Sequence, residues 1–216
     1  GAGADFLTNT ATGANTEVSA GDVMTGGDGF DTFTLVGASA SAANYSGSST
    51  ITDFTVGTSA TNTDLIRFTA GDTSYDDDGG TASGIGDAGG VDAAATGDAV
   101  VIQTVAQNAS AAAVTGATVN MFKLTTGVAF TTDLQGTFNA AIGTGTVTGL
   151  TADSQLLFTM YDTTNSVMVI GSADVNGTGT STVFETGDVV NLIGTVSMTA
   201  ADYALMDTDN YAVFVA

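Results

Sequence analysis

The chain has 216 residues, with 23 acidic side chains against only Arg67 and Lys123, a net charge of −21, and no cysteine, histidine, proline or tryptophan. That charge excludes a phosphate-reading nucleic-acid surface and opposes anionic membranes. Without His or Cys there is no disulfide framework, no imidazole or thiolate metal site, and no Ser-His-Asp, Cys-His or H-E-x-x-H chemistry.

The hydrophobic fraction is 43% and the mean hydropathy +0.28, enough for a real core at this length. Thr, Gly, Val and Ala dominate, which favours strands. No apolar run approaches the ~18 residues of a membrane span. Twenty-one of the acids are Asp. Divalent cations would relieve so much like charge.

The first element is glycine-punctuated. Gly26-Gly27-Asp28-Gly29-Phe30-Asp31-Thr32-Phe33-Thr34 matches the nonapeptide G-G-x-G-x-D-x-U-x, where U is a large apolar residue. The glycines permit a tight turn with positive φ, the aspartate offers a hard oxygen for Ca²⁺, and the apolar residue points inward on a short strand. Stacked turns of this kind form a parallel β-roll with calcium between them. Residues 17–25 keep the phase, with Asp22 at the ligand position and Met24 at the apolar one, although Ala20 replaces a glycine. Gly1–Thr8 fits the same frame with its first glycine missing and places Asp5 in register. The bland alternative is a Gly/Asp-rich linker, but three aspartates in phase argue against it. A start inside a repeat, with no initiator Met and no signal peptide, leads us to expect the C-terminal piece of a longer protein.

Gly37–Ser49 reads as a loop, then Thr50–Phe54 and Asp64–Phe68 as strands. Gly71–Gly97, containing Asp76-Asp77-Asp78-Gly79-Gly80, reads as a long loop and boundary. Ala99–Val105 and Val119–Leu124 are strand candidates. Thr132–Ile142 has helical spacing at Leu134, Phe138, Ala141 and Ile142, with Thr132 or Asp133 as cap and Gly143 as stop. Gln155–Tyr161, a turn at Asp162–Ser166, and Val167–Ser172 predict a hairpin. Asp188–Ile193 is a further strand, Thr199–Tyr203 a turn or helical stub, and Tyr211–Val215 a closing apolar strand.

The order Gly26–Leu35 (GGDGFDTFTL), Ser49–Phe54 (STITDF) and Asp64–Phe68 (DLIRF) resembles the C-terminal region of RTX proteins, which Gram-negative bacteria export by the type I system. Phe158–Leu205 is similar to the β-rich end of many RTX exoproteins, through Gly187-Asp188-Val189-Val190-Asn191-Leu192-Ile193-Gly194 and Met198–Tyr203. The composition is most like that of calcium-dependent surface-layer proteins, although only about three repeats are visible here. The resemblance implies Ca²⁺ ligation by Asp5, Asp22 and Asp31, shared with turn carbonyls such as those of Gly27 and Gly29. It also implies a secretion signal at Tyr211–Val215. The other reading of these aspartates is that they are turn-forming residues on a solvated edge.

A second candidate lies in Asp174-Val175-Asn176-Gly177-Thr178-Gly179-Thr180, with Gly179 at position six and Glu185 at position twelve of an EF-hand-like loop. Thr178 and Ser181 break that pattern and the flanks read as strands, so a simple β-hairpin turn is the preferred reading, with a lone calcium shared with Asp188 as the alternative. Asp76–Asp78 reads as a calcium site or a hydrated loop tip. Asp53 and Asp64 are expected near the open end of the roll, as further ligand candidates.

The expectation is an all-β chain: a short calcium-binding parallel β-roll with capping strands over 1–70, a Gly/Asp-rich loop over 71–98, and a β-rich, sandwich- or β-helix-like domain over 99–216 with one short helix. Enzymatic chemistry is not expected, since two Glu and no Trp make a poor sugar cleft. The expected role is a secreted, structural surface-layer protein on a bacterial cell surface. It would self-associate into a lattice, meet the type I export machinery, and reach cell-surface polysaccharide through regions outside this chain. The alternative is the non-catalytic export tail of an RTX adhesin or exoenzyme.

Overall fold

The computed structural model describes residues 2–8, 21–35, 39–40, 45, 48–57, 63–70, 102–111, 121–148, 155–174, 183–186 and 188–215. Among these the chain is mostly β, with two short helices.

The first strands are short because glycine turns interrupt them: β1 (Phe6–Thr8), β2 (Val23–Met24), β3 (Thr32–Leu35), β4 (Ser39–Ala40), β5 (Ser49–Ile51) and β6 (Leu65–Ala70). Leaving β4 aside, successive strands alternate between two sheets. In one, β1 pairs with β3 and β3 with β6, all parallel. In the other, β2 pairs in parallel with β5. The register stacks Leu7 on Phe33 and Phe33 on Ile66, and Leu35 on Phe68. Phe33, Leu35 and Ile66 are fully buried, at about 1.5–3 kcal/mol of transfer free energy per side chain.

The remaining strands are β7 (Ile102–Val105), β8 (Ser110–Ala111), β9 (Met121–Leu124), β10 (Thr146–Thr148), β11 (Gln155–Asp162), β12 (Val167–Asp174), β13 (Val183–Glu185), β14 (Val189–Ser197) and β15 (Tyr211–Val215). A mixed sheet runs β2-β5-β14-β12-β11-β9-β7, with β4 also on β14. A second sheet, β1-β3-β6-β15, is parallel throughout. A small third sheet joins β13, β10 and β8. The two late strands β14 and β15 thus each add a rung to the N-terminal stack, β14 beside β5 and β15 beside β6.

The mixed sheet is covered on both faces, which is why its strands read as near-continuous apolar runs. Leu157, Tyr161, Met168, Ile170 and Val196 pack with Phe33, Ile66, Phe68 and Tyr211. Their alternating neighbours Phe158, Met160, Val169, Val190 and Leu192 pack with helix α1 (Leu134–Ile142) through Leu134, Phe138, Ala141 and Ile142. Asp133 caps α1 by accepting the Gly136 N–H at 2.7 Å, and Gly143, at φ 61°, ends it. Helix α2 (Ala200–Leu205) starts in a Thr199/Asp202 capping box. At its other end the Lys123 ammonium donates to the carbonyls of Ala204 (3.0 Å) and Met206 (2.7 Å).

The 155–174 hairpin, α1, and the 211–215 strand match the sequence expectation. Four points differ. There are two helices rather than one, because the capping box carries the Thr199–Tyr203 stub through a full turn. The 37–49 loop contains β4, held by backbone pairing to β14 rather than by any side-chain pattern. The strand expected at Asp188–Ile193 continues to Ser197, straight through Gly194. A Cβ on Gly194 would come 3.1 Å from the Ser49 carbonyl oxygen and 3.3 Å from Leu35, so glycine there lets the stack close. Finally, the strand expected at Thr50–Phe54 ends at Ile51, which frees Asp53 to leave the ladder. The 71–98 loop falls outside the described residues.

Candidate metal centre

The turn from Thr25 to Asp31 carries the chain from β2 in the mixed sheet to β3 in the parallel sheet. It is stacked between two others: residues 2–5 before β1, and, between β5 and β6, residues 52–57 with 63–64. Gly27 (φ 96°) and Gly29 (φ 135°) take the positive-φ conformations that the nonapeptide predicts. Backbone bonds tie the turns together: Gly3 N–H to the Asp28 carbonyl, Thr32 N–H to Asp5, and Leu65 N–H to Asp31, each 2.8 Å.

The aspartates form a ladder from turn to turn. Asp31 Oδ1 accepts the Asp5 N–H at 2.9 Å. Asp31 in turn gives its own N–H to Asp64 Oδ1, also at 2.9 Å. Asp64 Oδ2 accepts from Thr55 N–H at 2.8 Å. Asp53 takes two glycine amides, Gly26 N–H on Oδ1 at 3.0 Å and Gly27 N–H on Oδ2 at 2.7 Å. Burial raises the Asp64 carboxyl above the usual range, the Thr55 and Asp31 amides oppose that, and the Asp31 and Asp53 charges add to it.

One atom in this ladder is left over. Asp31 is 1% exposed, and its Oδ2 is the one buried side-chain polar atom without a hydrogen-bond partner among the described residues. It faces Gly26, where any Cβ would collide with it. A buried carboxylate oxygen with no donor is costly. A hard cation would satisfy it, and the absent Gly26 side chain is what lets the Asp31 carboxylate pack here. Among the described residues no group of three or more acidic side chains could hold a metal ion. Turn carbonyls would therefore have to fill most of the 6–8 oxygen positions that Ca²⁺ prefers. The orphaned, buried hard oxygen of Asp31 is the feature here that fits a cation such as Ca²⁺.

The predicted ligands divide unevenly. Asp5, Gly27, Gly29 and Asp31 come together at the stacked turns. Asp22 sits on the opposite side of the stack, just before the Val23–Thr50 pair, where Ser49 rather than a carboxylate follows it in register. The second loop is not assembled by the described residues. Asp174 ends β12 in the mixed sheet, opposite Gln155 and Val189, while Glu185 ends β13 in the small sheet, opposite Thr146. Asn176, like Asp76–Asp78, falls outside the described residues. The roles of Asp53 and Asp64 as amide acceptors were missed. Asp64-Leu65-Ile66 repeats the Asp31-Thr32-Phe33 pattern, and that signal was available. Comparison with protein-family models, with curated proteins and with solved structures gives no match to this chain.

Proposed function

We propose that this chain is a calcium-binding structural protein of a bacterial cell surface, secreted by a type I route like the RTX proteins it resembles, and assembling with copies of itself into a surface lattice. The observation that carries the reading is the orphaned Oδ2 of Asp31, buried inside a glycine turn stacked between two others. Calcium bound there would neutralise carboxylate charge and supply the missing partner. The chain's own residues do the rest. Asp31 offers the ligand oxygen, Gly27 and Gly29 shape the turn, and Asp64 holds the Asp31 amide. The −21 net charge supports a cation-dependent assembly, since packing like on like requires bridging or screening.

The test is circular dichroism and urea unfolding with EDTA, Ca²⁺ or Mg²⁺. We expect β signal and unfolding midpoint to rise with Ca²⁺ well above the rise at equal ionic strength of NaCl, because an ion that binds only the folded state adds its binding free energy to stability. Identical curves in EDTA and Ca²⁺ would remove the calcium reading. Light scattering and electron microscopy test the lattice: ordered sheets at millimolar Ca²⁺ support it, and a strict monomer overturns it.

A further inference from the structure

We infer that Asp53 is the positioning residue of the Asp31 cation site, holding the Gly26-Gly27 peptide in place from the next turn of the stack without itself being a ligand. The inference rests on the calcium reading and assigns a part to a residue outside the nonapeptide repeats. The juxtaposition is specific. Each Asp53 oxygen takes one of two consecutive amides, Gly26 N–H at 3.0 Å and Gly27 N–H at 2.7 Å. Gly26 is also the residue whose Cα side faces the orphaned Asp31 Oδ2. One glycine is thus gripped on its amide by Asp53 and abuts the ligand oxygen on its other side.

The grip matters because glycine is the residue that most readily changes backbone conformation. Gly27, at φ 96°, lies in a region that only glycine occupies freely. Left alone, the Gly26-Gly27 peptide could rotate and shift the glycine that packs on the Asp31 carboxylate. Two consecutive amides aimed at one acceptor make a small anion-binding nest. Here the nest is filled by the chain's own carboxylate, from 26 to 27 residues downstream. The register of this contact is set by the β2–β5 ladder, which ends with the Thr52 N–H donating to the Met24 carbonyl at 3.0 Å and the Thr25 and Thr52 hydroxyls 2.7 Å apart. Residues that orient a metal's ligands typically change affinity about 10–100-fold when removed.

The experiment uses the full chain and titrates Ca²⁺ calorimetrically into the parent and into Asp53→Ala, Asp53→Asn, Asp31→Asn and Asp28→Asn. Asp53→Ala should bind about 10–100-fold more weakly, and Asp53→Asn, which keeps one acceptor oxygen, should fall in between. Asp28 is exposed, so Asp28→Asn removes the same charge from the same turn and should shift affinity by no more than about twofold. Tb³⁺ luminescence lifetimes in H₂O and D₂O add a readout that a merely structural role would not move: Asp53→Ala should admit extra ion-bound water where a loosened turn carbonyl withdraws. If Asp53→Ala is unfolded without metal, Asp53→Asn carries the test. Should Asp31→Asn bind like the parent, the calcium reading fails and this one with it. Should Asp31→Asn lose the ion while both Asp53 variants stay within about twofold of the parent, only the positioning role is overturned. It is equally overturned if Asp28→Asn weakens binding as much as Asp53→Ala, since general charge would then suffice.

Discussion

The amide of Asp31 donates to the carboxylate of Asp64 at 2.9 Å, and both residues are 1% exposed. Two carboxylates are therefore drawn into the interior along one backbone ladder, and Asp64 carries a raised pKa, through burial first. A raised folded-state pKa means that the folded chain keeps a proton which the unfolded chain has released, so stability falls as pH rises from 3.8 through the folded value. In EDTA we expect unfolding free energy to fall as pH rises above 3.8, and Asp64→Asn to flatten that slope. Urea titrations at closely spaced pH check it. A variant with the parent's slope would show that the dependence comes from other groups.

Gly26→Ala should be damaging out of proportion to one methyl group. Its Cβ would run into Asp31 Oδ2. The expected loss is about 1–3 kcal/mol of stability in Ca²⁺, with most of the Ca²⁺ increment gone. Gly127→Ala is the control, since the nearest atoms to its Cβ would be the Thr163 methyl at 3.1 Å, the Tyr161 ring at 3.3 Å and the Tyr161 carbonyl oxygen at 3.8 Å, none of them a carboxylate. The two unfolding curves, each with and without EDTA, give the comparison.

Much of the architecture was legible because it is written locally. The 155–174 hairpin shows itself in two apolar runs about a polar turn, and α1 in the spacing of Leu134, Phe138, Ala141 and Ile142 between Asp133 and Gly143. Asp31 was legible from its nonapeptide. The strands β4, β8, β10 and β13 were not, since two or three residues carry no period, and their pairing partners lie far along the chain. Asp53 was hidden for a related reason. Its meaning lies in two amides on another turn, which only the register of β2 on β5 brings within reach.

Lys123 offers a test of the opposite sign of charge. Its ammonium caps α2 through the Ala204 and Met206 carbonyls and lies 5.0 Å from the Tyr203 ring centroid. Lys123→Met keeps the buried stem and deletes the donors. We expect a loss of about 1–3 kcal/mol, read from urea unfolding. No change in midpoint would mean that the carbonyls find water at no cost.

Alkaline pH should unfold the chain through its buried tyrosines. Tyr203 donates to the Leu124 carbonyl at 2.8 Å and the Thr159 carbonyl at 3.0 Å, and Tyr211 to the Met168 sulfur at 3.4 Å. Burial pushes both phenols above their ordinary 10.0. Above that value the unfolded chain releases protons that the folded chain retains, so stability is whole below pH 10 and drains away above it. Tyr203→Phe should be less stable at neutral pH by about 1 kcal/mol yet lose less on raising the pH further. Thermal melts across the alkaline range decide it.

The pairing of β14 with β5 and of β15 with β6 spans 145 residues in each case. Both N-terminal rungs therefore keep an open edge until residues 189–215 exist to cover it. Closing so long a loop comes before any reward from the contact, and self-repulsion among the aspartates works against early collapse. For a chain made from its N-terminus onward, folding is thus a matter of sequence in time. The acidic turns are written first and completed last, when the strands of residues 189–215 arrive to pair with β5 and β6.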